Sequence, residues 1–429
     1  MVRTRIWPVL LAVGGLIAYF VLFYCVEMPG LTQATGKTFV RGQLLEYLLV
    51  PESLVECWLG TPAGFSLADR LPVLVIAAGI VGWGLAAGWL VLRAGRLGGV
   101  LTRLESLVFS AAVGLNALST YVLAIGLAGW LNRAAVAAPA AVTFVAALCL
   151  WRGRTRRSDP PQPTANATSN KKEKAEKRQE GNRTGSPFRV TSGMPSHSSP
   201  PTETETSSVP RLGYWLAAPF LAVLLLGAML PPVEFDVREY HLQAPKEFYQ
   251  QSSIGFLPHN VYANMPLGTE MLSLLGMVVA GDWWLGALVG KTVIASYAVL
   301  TALGLLAAGR RFAGRAAGAV AALVYLTVPW VVQVSTLGLV DVALGCYLFL
   351  AFYAACLAMG PATASLPASP LAAEARSADR PVLRTQYSVL ILAGYLAGGA
   401  VACKYPGMLF AVLPLACWVS FAFRDAALP

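Results

Sequence analysis

Charged residues are scarce in this 429-residue sequence, in which Asp, Glu, Lys and Arg together make up only 13%. An average soluble domain has about 25% charged residues. Here 56% of the residues are hydrophobic, and the mean hydropathy is +0.60. The scarcity of charge therefore excludes an ordinary soluble domain and indicates that lipid surrounds most of the chain.

Paired cysteine motifs are also missing. The seven cysteines show no C-x-x-C spacing, and most of them lie inside apolar blocks. A disulfide framework or a zinc site would need cysteines in pairs at suitable spacing. We therefore interpret the cysteines as small core residues and predict no metal site built from them.

The sequence likewise has no basic face interleaved with aromatic residues outside its apolar blocks, although its net charge is +10. We therefore predict no nucleic-acid partner. The basic residues gather instead where apolar blocks end, which is typical of cytoplasmic loops in membrane proteins. They are Arg93, Arg96, Arg103, Arg152, Arg154, Arg156, Arg157, Arg310, Arg311 and Arg315.

The apolar residues that are present form about ten blocks long enough to cross a bilayer as helices. These blocks are 7–26, 71–92, 105–130, 134–151, 212–230, 283–308, 316–334, 337–359, 387–403 and 406–423. They predict an all-α fold, a polytopic bundle of transmembrane helices in the cell (inner) membrane. A cytoplasmic N-terminus would put most of the arginine and lysine residues inside, with the first block retained as a span.

Composition divides the chain into three predicted regions. Residues 1–151 form a four-span membrane region, and 152–211 are so rich in Pro, Ser, Thr and charge that we predict a disordered cytoplasmic linker. Residues 212–429 form a second membrane region, which carries an outer loop at 231–282. Within that loop, 267–281 is too short to span, and we predict an amphipathic helix lying in the membrane interface.

Three carboxylates, Glu234, Asp236 and Glu239, follow directly on the span 212–230. On an α-helix Asp236 and Glu239 would share one face, with Cβ atoms about 5–6 Å apart. Such a pair could divide the work of a base and an orienting group, or hold a Mg²⁺ or Mn²⁺ ion between them. The alternative is that these acids only mark a solvated helix end.

Further polar side chains follow in the same loop, next to apolar surface. A substrate that is part lipid and part sugar needs this combination, because its tail needs membrane and its sugar needs hydrogen bonds. The candidates for substrate binding in this stretch are Arg238, His241, His259 and Glu270, with Tyr240, Lys246, Asn260, Tyr262 and Asn264 nearby.

Two charged residues interrupt later apolar blocks at predicted outer boundaries. Asp341 lies in VSTLGLVDVALG, and Lys404 precedes Tyr405 in GGAVACKYPGML. An ionisable residue inside a membrane segment is by default a candidate functional residue. The alternatives are a capped helix start for Asp341 and a snorkelling side chain for Lys404.

These segments together resemble a known family. FDVREYHLQAPKEFYQQSSIGFLPHNVYANMPLGTEML after a span, then LVDVAL, then GYLAGGAVACKYPG, are similar to the GT-C superfamily of glycosyltransferases that use polyprenyl-phosphate sugars. Within it, the likeness is to bacterial proteins of the protein O-mannosyltransferase, aminoarabinose transferase and RgtA-to-D-like group. It covers about residues 212–423, or roughly half of the chain.

The resemblance implies that Asp236 is the catalytic carboxylate, with Glu239 as its neighbour. It places the family's second acidic position at Asp341 and its lysine of the KY or TK motif at Lys404, next to Tyr405. The chain departs from the family in having four spans before the span 212–230 that leads into the loop, where many relatives have one or none. It also ends soon after its last span, as a short form or a fragment would.

The function expected from this resemblance is inverting transfer of a sugar from a polyprenyl-phosphate donor to a hydroxyl of a lipid, glycan or protein acceptor, on the extracytoplasmic face. Asp236 would act as the general base, and Lys404, with Arg238 or His241, would stabilise the leaving phosphate. No cofactor is certain, and a metal-free reaction is favoured over one with a divalent cation. The rival hypotheses are a secondary transporter, for which no internal repeat is visible, and a non-catalytic membrane assembly subunit.

Overall fold

A computed structural model describes residues 6–27, 50–60, 66–157, 208–359 and 376–427, together with positions 36, 38 and 40. The predicted linker 152–211 lies mostly outside the described residues, so its disorder stays a prediction. The chain divides into two units, Met1–Phe144 with Val209–Pro429, and Val145–Ser208. The larger unit holds the helical bundle.

The described residues form helices, and strand-like pairing among them is limited to one isolated bridge between Glu27 and Val40. The predicted all-α class is therefore confirmed. The α-helices are α1 Ile6–Cys25, α2 Val50–Leu59, α3 Leu71–Ala94, α4 Arg103–Leu127, α5 Arg133–Arg157, α6 Ser208–Ala228, α7 Gln243–Gln251, α8 Glu270–Ala280, α9 Trp283–Phe312, α10 Arg315–Thr327, α11 Pro329–Leu337, α12 Asp341–Ala358, α13 Arg376–Cys403 and α14 Leu413–Ala427. Two segments, Val237–His241 and Met408–Val412, are π-helical.

Six of the described helices are long and apolar enough to cross a membrane, or up to seven if α10 and α11 form one span bent by 60°. Pro329 begins α11 and has no N–H for the preceding turn, which explains the break. The predicted count of about ten spans is not confirmed. The apolar helices Trp215–Ala228 and Met408–Ala422 are shorter than a span among the described residues.

Helix α9 lies at the centre of the bundle and packs against α3, α4, α8, α10, α11 and α12. Its 30 residues make a helix about 45 Å long, whereas the hydrocarbon core is about 30 Å thick. The stretch from Lys291 to Arg310 alone covers about 30 Å. The first two turns of α9 can therefore project beyond the bilayer, and these turns are where α8 packs.

Small residues allow a close helix contact between α3 and α4. A side-chain carbon added at Gly88 would overlap the backbone oxygen of Ser110, and one added at Gly114 would overlap that of Gly84. Membrane helices associate through such small residues because apolar side chains gain little from leaving lipid. This pair then packs against α9 and α8, so the N-terminal helices belong to the same core as the second half of the chain.

One end of the bundle is held by Glu105, which is 1% exposed. Its carboxylate accepts hydrogen bonds from the backbone N–H of Thr102 at 2.6 Å and the hydroxyl of Tyr353 at 2.5 Å, and lies 3.8 Å from Arg311. We call this the arginine end, because the α3–α4 and α9–α10 connections carry Arg93, Arg96, Arg103, Arg310, Arg311 and Arg315 there.

The opposite end collects the segments of the predicted outer loop. The N–H of Ile254 donates to the carbonyl of Gly126 at 2.9 Å, and the N–H of Gly268 donates to Ala402 at 2.8 Å. These bonds join the loop to the last turns of α4 and α13, directly before Lys404. We call this the site end of the bundle.

Helix α8 corrects the prediction of an interfacial amphipathic helix at 267–281. Residues 270–278 are all buried, and the polar side chains of Glu270 and Ser273 are fully enclosed. Glycines bring α8 against α9, since a side-chain carbon at Gly290 would overlap Ser273. The amphipathic pattern was misleading because the polar side chains of α8 meet other protein groups instead of water.

Candidate functional site

The segment after α6 is a π-helical turn, in which the N–H of Leu242 donates to the carbonyl of Val237 at 2.9 Å. The carboxylate of Glu234 accepts from the N–H of Val237 at 3.3 Å and so caps its start. In a π-helix the spacing of side chains differs from that of an α-helix. The α-helical argument that put Asp236 and Glu239 on one face therefore does not hold over this turn.

The turn ends at His241, which is buried with Glu270 of α8. The Nδ1 atom of His241 lies 2.6 Å from Oε1 of Glu270, with side-chain exposures of 2% and 1%. The other polar atom of each residue, Nε2 of His241 and Oε2 of Glu270, is buried with no hydrogen-bond partner among the described residues. Both were predicted to bind substrate, which stays a prediction, and the structure brings them together as a buried pair.

Tyr240 lies where acidic residues from distant parts of the chain converge. Its ring centroid is 5.3 Å from that of Tyr262 and 4.1 Å from the ring of His241. Burial raises the pKa of Tyr240 to about 12, with smaller contributions from nearby negative charges. These charges belong, in decreasing order of effect, to Asp236, Glu270, Asp341 and Glu234.

Asp341 and Lys404 form an ion pair, although 63 positions separate them in sequence. The Nζ atom of Lys404 lies 3.0 Å from Oδ1 and 2.9 Å from Oδ2 of Asp341, and the side chains are 30% and 43% exposed. Asp341 begins α12 and Lys404 follows α13, two helices that pack against each other. The structure thus brings two predicted site residues together at the site end of the bundle.

Four acids raise the pKa of Tyr240, and Asp236 is the one whose carboxylate is unpaired within the described part of the chain. Glu234 caps the π turn, Glu270 is paired with His241, and Asp341 with Lys404. Asp236 is exposed, and its side chain has no hydrogen bond or ion pair within the described part of the chain. An unpaired carboxylate is available to accept a proton or a donor from a ligand.

The remaining predicted residues lie at the rim of the site end. His259 is paired with Glu247, with 3.0 Å between Nε2 and Oε2, and its side chain is 61% exposed. Asn260 donates to the backbone carbonyl of Glu239 at 2.8 Å and so anchors the loop to the π turn. Tyr405 is 62% exposed. The structure therefore gives His259 and Tyr405 surface positions.

A cavity of about 600 Å³ lies beside the π turn. Two predicted residues, Arg238 and Glu239, line it, whereas Asp236 does not. The other lining residues are Pro232, Val233, Phe235, Leu242, Gln243, Lys246, Met277, Trp283, Trp284 and Ala287. Sequence reasoning did not assign Gln243, Trp283 and Trp284 to a site; the Trp-Trp pair directly after the outer loop was the signal for them.

The described residues contain no group of three or more His, Cys, Asp or Glu side chains arranged to hold a metal ion. The pair Asp236 and Glu239, considered above for Mg²⁺ or Mn²⁺, is divided between two surroundings, because only Glu239 lines the cavity.

No protein-family model matches the chain, and neither a curated protein nor a solved structure is significantly similar to it. The likeness to the GT-C superfamily consequently rests on the sequence segments quoted above.

Proposed function

We propose that the protein is a membrane glycosyltransferase that moves a sugar from a polyprenyl-phosphate donor to an acceptor hydroxyl. The observation that carries the proposal is the free carboxylate of Asp236 among four acids around Tyr240, of which the other three are engaged. A site with one unpaired base and one paired cation suits proton removal at one atom and charge stabilisation at another. The family resemblance supports the same assignment of Asp236.

In the proposed reaction, Asp236 removes the proton from the acceptor hydroxyl as that oxygen attacks the anomeric carbon. A new carbon–oxygen bond forms there, and the bond from the anomeric carbon to the phosphate oxygen breaks. The leaving polyprenyl phosphate keeps the electron pair. Attack opposite the leaving group inverts the anomeric configuration, and the proton stays on Asp236 until water removes it.

Lys404 is proposed to stabilise the leaving phosphate. An ammonium group has three N–H donors, and the two contacts to Asp341 occupy two of them. The third remains for a phosphate oxygen. Because Asp341 holds the ammonium in place before the phosphate charge develops, little reorganisation is needed during the reaction.

The arginine end is proposed to face the cytoplasm and the site end to face outward. Cytoplasmic loops of membrane proteins are enriched in arginine and lysine, and the short connections at the arginine end carry six arginines: Arg93, Arg96, Arg103, Arg310, Arg311 and Arg315. Asp236, Asp341 and Lys404 lie at the opposite ends of their helices. A cell (inner) membrane with an extracytoplasmic site is therefore the proposed location.

The test is transfer by the purified chain in lipid nanodiscs. The protein is incubated with radiolabelled polyprenyl-phosphate sugars and a membrane extract, and the products are separated into lipid, glycan and protein fractions. Label that moves in the presence of the chain, and not with an Asp236→Asn variant, supports the proposal and identifies the acceptor class. Absence of transfer from every donor would favour the non-catalytic assembly role.

A secondary transporter remains the second candidate, and one observation favours it. Helices α10 and α11 form a pair bent by 60°, and broken spans are common at transporter binding sites. Proteoliposomes loaded with a candidate solute separate the two functions. Accumulation or exchange of solute without cleavage of a sugar–phosphate bond would replace the transferase proposal.

A further inference from the structure

The cavity beside the π turn is a separate chemical environment from the acids around Tyr240. Neither Asp236 nor Tyr240, Asp341 or Lys404 lines it. We infer that this cavity binds an uncharged glycosyl unit of the acceptor, so that the acceptor is a glycan or a glycolipid. The inference rests on the proposed function, because it names the acceptor of that reaction.

Two indole rings form one wall of the cavity. The centroids of Trp283 and Trp284 are 5.7 Å apart, and their planes are inclined by 74°. They are 37% and 40% exposed, so a ligand can reach them. Sugar rings carry C–H groups on their faces, and these pack favourably on the electron-rich faces of aromatic rings.

Hydrogen-bond donors and acceptors also line the cavity. Arg238 and Lys246 can only donate hydrogen bonds, whereas the carboxylate of Glu239 can only accept them. Gln243 donates one bond to Glu247 at 2.8 Å, which leaves its side-chain oxygen free to accept. Sugar hydroxyls donate and accept at once, so a glycosyl unit can satisfy this mixed set.

The negative charge of Glu239 argues against a phosphate as the ligand of the cavity. Glu239 would repel a second anion held within a few ångströms in a partly desolvated space. The ammonium of Lys246 lies 4.2 Å from the centroid of the Trp283 ring, a cation–π contact that already stabilises it. Arg238 and Lys246 both line the cavity as cations, so phosphate is tested beside the glycosides as the alternative ligand.

The rim of the cavity is apolar and open. Val233 and Phe235 line it and are 74% and 70% exposed. They follow α6 at the site end, where the polypeptide leaves the membrane region. A cavity of about 600 Å³ has the size of small-molecule sites in general, and an apolar rim next to lipid suits a sugar with a lipid tail.

The experiment measures binding without any donor. The full chain in nanodiscs is mixed with soluble methyl glycosides of mannose, glucose, galactose and N-acetylglucosamine, and contact is detected by saturation-transfer NMR. Inorganic phosphate is followed in parallel by ³¹P line broadening. Variants Glu239→Gln and Trp284→Ala test the cavity, and Trp130→Ala, an exposed tryptophan outside it, is the matched control.

At least one glycoside should give a signal with the wild type and with Trp130→Ala. Glu239→Gln should weaken it about fivefold, the equivalent of one hydrogen bond, and Trp284→Ala should abolish it. Glu239→Gln keeps its size, so it remains informative if Trp284→Ala does not fold. A signal independent of both variants, no signal from any glycoside, or phosphate binding lost in Arg238→Gln would overturn the inference. Glycoside binding with no transfer would instead count against the proposed function alone.

Discussion

The Nδ1 atom of His241 lies 2.6 Å from Oε1 of Glu270, and each side chain is almost completely buried. His241 is the last residue of the π turn, and Glu270 is the first residue of α8. The contact therefore fixes the segment that carries Asp236, Arg238 and Glu239 against a helix of the core. It explains how a loop between membrane helices can hold a defined geometry.

Removal of the Glu270 carboxylate should destabilise the protein. In Glu270→Ala, the ring of His241 would stay buried without its partner, and a buried polar group left unsatisfied costs about 1–3 kcal/mol. Glu270→Gln keeps one hydrogen-bonding oxygen and should cost less. Thermal unfolding in nanodiscs measures both. Equal unfolding temperatures for Glu270→Ala and the wild type would show that the contact contributes nothing.

Asp236→Asn should slow sugar transfer by about 10²-fold or more, the contribution of a general base. Binding of the donor should change much less, because the amide keeps the size of the side chain. Glu239→Gln should slow transfer less, since Glu239 lines the cavity and is not among the acids that raise the pKa of Tyr240. The matched control is Asp69→Asn, which changes an exposed carboxylate that accepts a hydrogen bond from the N–H of Ser66. A transfer rate of Asp236→Asn near that of this control would contradict the assignment.

The ion pair between Asp341 and Lys404 should matter for transfer and little for stability. Partly exposed ion pairs contribute about 0.2–1 kcal/mol to folding, so Lys404→Met should unfold at nearly the wild-type temperature. Its transfer rate should fall strongly, because the cation opposite the leaving phosphate is lost. A variant that loses stability and keeps its rate would identify the pair as a purely structural contact.

Tyr240 reports on its neighbours through its pKa. Burial comes first among the causes that raise the pKa to about 12, and the charge of Asp236 comes second. In Asp236→Asn the pKa of Tyr240 should therefore fall towards 10. Ultraviolet titration of each protein, minus that of its Tyr240→Phe counterpart, isolates this one tyrosine. An unchanged midpoint of the Tyr240 titration would show that the charge of Asp236 does not act on Tyr240.

The same shift predicts a pH dependence of stability. The folded state keeps the Tyr240 proton up to about pH 12, while the unfolded state releases it near its ordinary value of 10.0. Below pH 10, Tyr240 therefore does not change how the free energy of unfolding depends on pH. Between pH 10 and pH 12, the free energy of unfolding falls as the pH rises. Tyr240→Phe should remove this part of the fall.

The orientation of the chain can be tested with single cysteines in a background without the seven native ones. A cysteine at Ser253, in the loop at the site end, should react with an impermeant thiol reagent in intact cells. A cysteine at Ser198, in the predicted cytoplasmic linker, should not react. The reverse pattern would put the site end inside and remove the argument for an extracytoplasmic transferase.

The fold class followed from composition because lipid imposes a simple constraint. A chain with so little charge must satisfy its backbone within helices to lie in a bilayer. The sequence also predicted that the arginine-rich connections lie at one end of the bundle and Asp341 and Lys404 at the other. The structure has this arrangement. Composition did not determine the number of spans, because length and hydropathy alone do not distinguish a span from a shorter apolar helix.

The sequence alone determined that the chain is helical, with several helices apolar enough to cross a membrane, and that its unusual polar residues lie after the apolar block 212–230 and next to two later apolar blocks. Only the tertiary structure decided which of them meet. His241 was paired with Glu270, α8 was buried instead of lying on the surface, and Asp341 was joined to Lys404. Each of these results depends on contacts between residues far apart in the chain. Local periodicity carries no information about such contacts, because their energy comes from packing and from the pairing of buried charges.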